Sequence, residues 1–408
     1  MLQEPVFTEA DVRRLNVVRQ TLAGTTARSA AANLGLSTRQ IFRLKAKVRT
    51  SGDPGIIHGN RGRRPANALP AGLRECVLNL HQEEYSLYNA CHFAEALEEE
   101  HQIRLSRETI RRWLRAAGVP PKRRHRDNRK HRRRRPRRTR FGELLFLDGS
   151  PHHWLGPARP MSTLILATDD ATGRPLWGIF LDQETLNGCF EVLYHVFRRY
   201  GLPEALYLDR AGQFTTTRHG GNHITQRDDK PTHFEIAMQR LGVELIFAHS
   251  PQARGRGERI NGSFQDRLVA ELAHHGVKDP HAATRYLNQR FIPRYARRFG
   301  VAPADPVSAF RPVSEDRDLR TVLCTREQRT VSNDNTISYK GREFQLLPAS
   351  RTACIAGTKV EVQTWFDGSV RVFRPRGREI GTRKLPPKPK PRPKPRRTGY
   401  DVFAVHQL

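Results

Sequence analysis

Long apolar runs are missing from this chain. None approaches the ~18 residues of a membrane span, and the opening MLQEPVFTEADVRR has no apolar leader core. A membrane partner is therefore not expected. Cysteine is sparse: Cys76, Cys91, Cys189, Cys324 and Cys354 are scattered, with no C-x-x-C pair. That spacing argues against a disulfide framework and against a zinc module. His58, Cys76, His81, Cys91 and His92 gather in the N-terminal third, but their spacing fits no zinc template and they read as ordinary helix residues. The composition predicts a soluble chain in a reducing, cytoplasmic compartment.

Acidic residues are also few, 41 against 71 Lys+Arg, for a formal charge of +30 over 408 residues. The imbalance is concentrated. Residues 121–140 hold 13 basic groups and 1 acidic, and residues 383–397 hold 8 and none, whereas residues 141–310 hold 19 and 18. A basic surface kept for solubility would be spread evenly. Two dense runs point instead to a polyanion, because Lys and Arg that neutralise phosphates release counterions.

A chain of this length holds two to four domains. Residues 1–60 read as a first helical module, in which Gly35 makes a turn and Ser37 caps a helix with Ile41, Leu44 and Val48 on its apolar face. Thr38, Arg39, Gln40 and Arg43 lie early on the opposite face, where a recognition helix touches base edges. Residues 61–70 form an Arg/Gly/Pro linker whose Arg61, Arg63 and Arg64 suit a minor-groove arm or a plain tether. Residues 71–120 repeat the helical logic: Ser106 caps a helix with Ile110, Trp113 and Leu114 inside and Arg107, Arg111, Arg112 and Arg115 outside. Residues 121–140 are a basic linker too charged to form a core.

From 141 to 310 the pattern becomes three strands, a helix, a strand, a helix, a strand and a long helix, an α/β layout with a mixed sheet. Short alternating runs separated by Asn-Asp-Asn, Lys-Gly and Asp-Gly turns make residues 311–382 a small all-β, barrel-like domain. Residues 383–408 are a basic Pro-rich tail.

Three carboxylates stand out. Asp148 is expected to end the first core strand (LLFLDGS), Asp209 to end the fourth (ALYLDRAGQ), and Glu258 to open the last helix after HSPQARGRGER. Strand ends on one sheet edge bring such side chains together. Clustered carboxylates repel unless cations lie between them, and hard oxygen donors select Mg²⁺ or Mn²⁺. Two such ions suit in-line phosphoryl displacement. Arg254, Arg256 and Arg259 flank Glu258 and are candidate phosphate contacts or solvated charge; His152 and His153 follow the first acid; Trp154 and Trp177 read as packing. Asp169 and Asp170, in DDATG, suit a hairpin turn instead.

The ordered set LDGSPHHWL, LILATDDATG, GLPEALYLDR and ELIFAHSPQARGRGERINGSFQDRL resembles bacterial insertion-sequence transposases with a retroviral-integrase-like DDE core, nearest the ISNCY-type group. The resemblance spans nearly the whole chain. It implies an RNase H-like core, catalytic and metal-binding roles for Asp148, Asp209 and Glu258, and double-stranded DNA, both element ends and target, as the partner. It further implies terminal-repeat binding, metal-dependent end cleavage and strand transfer, and self-association on DNA as at least a dimer. The bound protein would be nucleoid-associated in a bacterial cytoplasm. Two features depart from the family pattern. Asp209 and Glu258 are 49 residues apart, the surplus falling in QFTTTRHGGNHITQRDDKPTH, and Gly257 stands where a bulkier residue is common. A non-catalytic transposase-derived DNA-binding protein and a stand-alone RNase H-like nuclease are the alternatives; the first leaves three acids unexplained and the second leaves the helical modules without a use.

The charge map makes one prediction at once. Deleting residues 383–397 should flatten the dependence of DNA binding on salt concentration in a filter-binding or anisotropy titration, without changing which ends are chosen. A change in end choice would mean that the arm reads sequence.

Overall fold

A computed structural model describes residues 7–61, 69–122, 136–209, 211–214, 231–247, 255–347, 354–375 and 377–386. The chain divides into two compact units, Met1–Cys76 and Val77–Leu408.

The first unit is three helices, α1 (Glu9–Leu22), α2 (Ala27–Leu34) and α3 (Thr38–Ser51), closed by a 3-10 turn at Asp53–Ile56. Local chemistry sets the boundaries. Gly35 ends α2 in the left-handed region (φ 61°), and the Ser37 hydroxyl receives the Gln40 N–H to start α3. Val18 and Ile41 are fully buried, with Leu15, Ala30 and Val48 around them. The predicted apolar face of α3 is thus the buried one. Asp11 is buried beneath Arg61, whose two terminal nitrogens both donate to it. That bond, with those from Thr8, holds the Asp11 carboxyl far below the ordinary carboxylate range.

α4 (Leu73–Glu83) spans the boundary, and in the second unit it is followed by α5 (Ala90–His101) and α6 (Arg107–Ala116). The mixed sheet follows: β1 (Leu144–His152), β2 (Ser162–Asp169), β3 (Pro175–Leu181), then α7 (Leu186–Tyr200), β4 (Ala205–Leu208), α8 (His233–Leu241), β5 (Glu244–Phe247) and α9 (Gly255–His274). Strand order is β3-β2-β1-β4-β5; β1, β2 and β3 pair antiparallel, whereas β1, β4 and β5 pair parallel. One face packs on α7 and α8 through Leu145, Ile165, Phe190, Leu206 and Phe234; the other buries Trp154, Leu164 and Phe180 against Phe264 and Phe291.

Three expectations need correcting. Glu258 does not open the last helix, because α10 (Pro280–Tyr286), a π turn and α11 (Ile292–Phe299) follow α9 and cover the sheet. The core does not stop at 310: Leu319, Val322 and Leu323 are packed in it, and Arg311 pairs its backbone with Leu202. Asp148 sits in the middle of β1, since pairing with β2 continues to His152.

The C-terminal part is an antiparallel half-barrel sheet of β6 (Cys324–Thr330), β7 (Thr336–Tyr339), β8 (Arg342–Leu347), β9 (Lys359–Trp365), β10 (Val370–Phe373) and β11 (Glu379–Lys384), in the order β6-β9-β10-β11-β8-β7. Lys340 and Gly341 both have positive φ (48° and 70°), the backbone a two-residue hairpin requires. β11 runs two residues past the expected boundary at 382, so Arg383 and Lys384 are ladder residues opposite Gln345 and Phe344.

The second helical module is stitched to the core by charge. Glu95 on α5 receives Arg267 of α9 at 2.6 and 2.9 Å and Arg298 of α11 at 2.8 Å. Glu271 of α9 receives Tyr286 at 2.7 Å and pairs with Arg294 and, at 2.8 Å, with His92 of α5. Removing one partner from such a buried set leaves the others uncompensated. Glu95→Ala should therefore lower stability in urea unfolding by about 3 kcal/mol. Arg371→Ala, which breaks an exposed pair with Glu379, should cost less than ~1 kcal/mol.

Candidate active site

The sheet supplies a narrow cleft where β1 and β4 part. Their parallel pairing ends at Phe146 opposite Tyr207. Just beyond, Asp148 and Asp209 line one cleft together with Phe146, Tyr207 and Gly257. Asp209 follows the last residue of β4 and caps the next turn, its Oδ1 accepting the Ala211 N–H at 3.0 Å. Both carboxylates are half-buried.

α9 closes the cleft. Asn261 Nδ2 donates to Asp148 Oδ2 at 3.0 Å, and one turn on, Gln265 Nε2 donates to Ser150 Oγ at 3.3 Å. A β-carbon built on Gly257 would stand 3.6 Å from Asp148 Oδ2. Glu258 is exposed on the same first turn and does not line the cleft. Among the described residues no three His, Cys, Asp or Glu side chains gather closely enough to hold a metal ion. The structure therefore brings two of the three predicted acids together and leaves the third beside them.

The remaining candidates fall into distinct groups. Thr38, Arg39, Gln40 and Arg43 all lie on the exposed side of α3. The Gln40 side-chain oxygen is engaged by the Ser37 N–H at 2.8 Å, so part of that amide serves the cap. Phe42, exposed among them at 60%, was not anticipated; the helical period could have shown it, since Phe42 falls off the stripe of Ile41, Leu44 and Val48. Arg61 is committed to Asp11, which the 50-residue separation hid from sequence reading. Arg107 and Arg112 are exposed on α6, while Arg111 is held by Glu108 at 2.8 and 2.9 Å. Arg259 lines a cavity of about 240 Å³ with Phe146, Ser263, Tyr295 and Arg137. Arg63, Arg64 and Arg254 lie outside the described residues, as do the side chain of Arg256 and most of the insertion after Asp209.

The neighbouring polar groups are structural. Asp169 accepts from Gly142 and Thr172, and Asp170 from the Arg138 N–H, which fixes the hairpin end. Burial raises the Asp169 carboxyl above its ordinary range. His152 is shifted down by burial and by His153, and the His153 ring bonds the Arg159 carbonyl. Trp154 is buried, with its indole N–H on the Ser150 carbonyl at 2.8 Å. Trp177 stacks on His195.

No protein-family profile matches the chain. The chain is 34% identical over 371 residues to the transposase y4bF of Sinorhizobium fredii, covering 90% of this chain and 79% of that one. It is 31% identical over 381 residues to the transposase for insertion sequence IS1202 of Streptococcus pneumoniae, covering 85% and 80%. Among solved structures, a chain of the simian T-cell lymphotropic virus intasome aligns with 75% of this chain and 99% of its own at 13% identity (TM-score 0.31). The HTLV-2 integrase catalytic core in complex with magnesium aligns with 38% and 90% at 15% identity (TM-score 0.28).

Gly257 offers a direct check of the cleft. Its missing side chain meets only an ordinary contact, and glycine in a helix costs about 0.5–1 kcal/mol relative to alanine. Gly257→Ala should therefore raise the thermal unfolding midpoint. A fall would mean that the space over Asp148 must stay empty.

Proposed function

The chain belongs to the insertion-sequence transposases, and from that premise we propose that it binds the terminal inverted repeats of its own element, cleaves the DNA ends and joins them to target DNA. The observation that carries the catalytic part is the shared cleft of Asp148 and Asp209, with Asn261, three residues beyond Glu258 on α9, bonded to Asp148. The motif set further favours the ISNCY-type group within the family.

The donor chemistry of the cleft fits a divalent cation. Two carboxylates in the gap where β1 and β4 part offer hard oxygens, which suit Mg²⁺ or Mn²⁺. Asp148 and Asp209 would hold a pair of ions, and Glu258, next to Gly257, would complete the set. Bound there, the ions would activate a water or 3′-hydroxyl and stabilise the leaving oxygen. Asn261 orients Asp148 through the bond to its Oδ2. The bond from Ala211 orients Asp209. Buried Phe146 and Trp154 keep the surrounding strand rigid.

Recognition falls to the helical modules. Exposed Thr38, Arg39, Phe42 and Arg43 on α3 suit base-edge and phosphate contacts in a major groove. Arg107 and Arg112 on α6 suit a second groove or its phosphates. Arg63 and Arg64, with Arg61 where its bond to Asp11 allows, would serve as a minor-groove arm, and Arg254, Arg256 and Arg259 would meet phosphates. Two ends must be held for joining, so the active species is at least a dimer on DNA.

The test is an end-joining assay with Mg²⁺ and duplexes bearing the element's ends. Asp148→Ala, Asp209→Ala and Glu258→Ala should each abolish nicking and strand transfer, with end binding kept. Normal joining by Glu258→Ala removes that residue from the site. Normal joining by all three leaves a DNA-binding protein whose chemistry lies elsewhere.

A further inference from the structure

A carboxylate outside the predicted triad, on the turn between β3 and α7, packs against the residues that follow both cleft acids. Glu184 is half-buried there, and its side chain fills the space that Gly149, the residue after Asp148, leaves open. A β-carbon on Gly149 would stand 2.7 Å from Glu184 Cδ and 3.2 Å from its Cγ, with the carboxylate oxygen nearer still. Its other oxygen accepts a 2.6 Å hydrogen bond from Gln213 Nε2. Gln213 belongs to the short turn that Asp209 caps through Ala211 and that buried Phe214 anchors. Glu184 thus touches both chain segments that carry the acids, one residue past Asp148 and four past Asp209. The buried Cys189 thiol lies 3.9 Å from the same Glu184 oxygen, and burial with the charges of Glu184 and Asp209 pushes it up.

We propose that Glu184 is a positioning residue of the cleft, which fixes the turn after Asp209 through Gln213 and adds negative charge that favours a divalent cation at Asp148 and Asp209. The inference rests on the metal-dependent reading above. A third carboxylate beside two others is costly unless a cation balances it, and neighbours that orient metal-holding side chains typically govern affinity by about 10- to 100-fold. Gly149 is then required for the seat of Glu184 and not for backbone freedom.

The test titrates Mn²⁺ into the full-length chain and follows free Mn²⁺ by electron paramagnetic resonance, with end binding and thermal unfolding measured on each variant. Glu184→Ala should weaken Mn²⁺ binding about 10- to 100-fold and leave end binding within about twofold of wild type, since no recognition residue is touched. Gln213→Ala, which keeps the charge and removes the bond, should weaken it less. Gly149→Ala should reproduce Glu184→Ala by displacing the carboxylate, and the double variant should be no worse than either alone. Wild-type Mn²⁺ affinity in Glu184→Ala, or additive losses in the double variant, overturns the proposal. Should Glu184→Ala fail to fold, near-isosteric Glu184→Gln carries the test, and unchanged affinity there overturns it equally. Asp148→Asn separates the two levels. If it too binds Mn²⁺ normally, the metal reading fails; if it loses Mn²⁺ while Glu184→Ala does not, only the role of Glu184 fails.

Discussion

In β1, hydrogen bonding to β2 continues to His152 after hydrogen bonding to β4 has stopped at Phe146. That mismatch in length is the constraint on which the rest of the core depends. An antiparallel ladder on one side keeps the strand straight and buried, and the vacated parallel side opens a cleft of fixed width. Asp148 occupies the first position beyond Leu147 in that cleft, held by a rigid strand and not by a loop. Asp209 needs only a four-residue strand to reach the same place. α9 then covers the gap, bonding to β1 at Asp148 and at Ser150. The DDE reading of the chain thus depends on sheet geometry before it depends on any acid.

How much of this was legible in the sequence follows the range of each interaction. Ser37, Ser106, Gly35 and the Lys340-Gly341 turn act within a few residues, and their effects could be read directly. The order of strands and helices in the core was also legible, because burial on both sheet faces leaves apolar runs such as the fully buried β2. What escaped were bonds between residues far apart in the chain. Asn261 and Asp148 are 113 residues apart, Arg61 and Asp11 are 50 apart, and Glu184 reaches Gln213 over 29. No periodicity encodes such pairs. The same limit hid the packing of Leu319 and Leu323 into the α/β core, since a segment that follows Pro303, Pro306 and Pro312 reads as lying past a boundary.

The charge pattern also takes on a different meaning in three dimensions. The last residues of the basic linker are not spare. Arg137 donates to the carbonyls of Asp170 and Ala171, the Arg138 N–H to the Asp170 carboxylate, and Arg140 pairs with Glu204. Arg383 and Lys384 at the other run belong to β11. Each basic run therefore commits some of its residues to folded structure, Arg137, Arg138 and Arg140 in the first and Arg383 and Lys384 in the second.

α9 has a mechanical consequence. Its 20 residues make a rod of about 30 Å. One end meets Asp148 through Asn261; farther along, Arg267 and Glu271 grip α5 through Glu95 and His92. Both attachments are made by side chains of a single unbroken helix, with no hinge between them. A twist of the α5–α6 module against the sheet would be carried along this shaft as torque and arrive at the bond that orients the first acid.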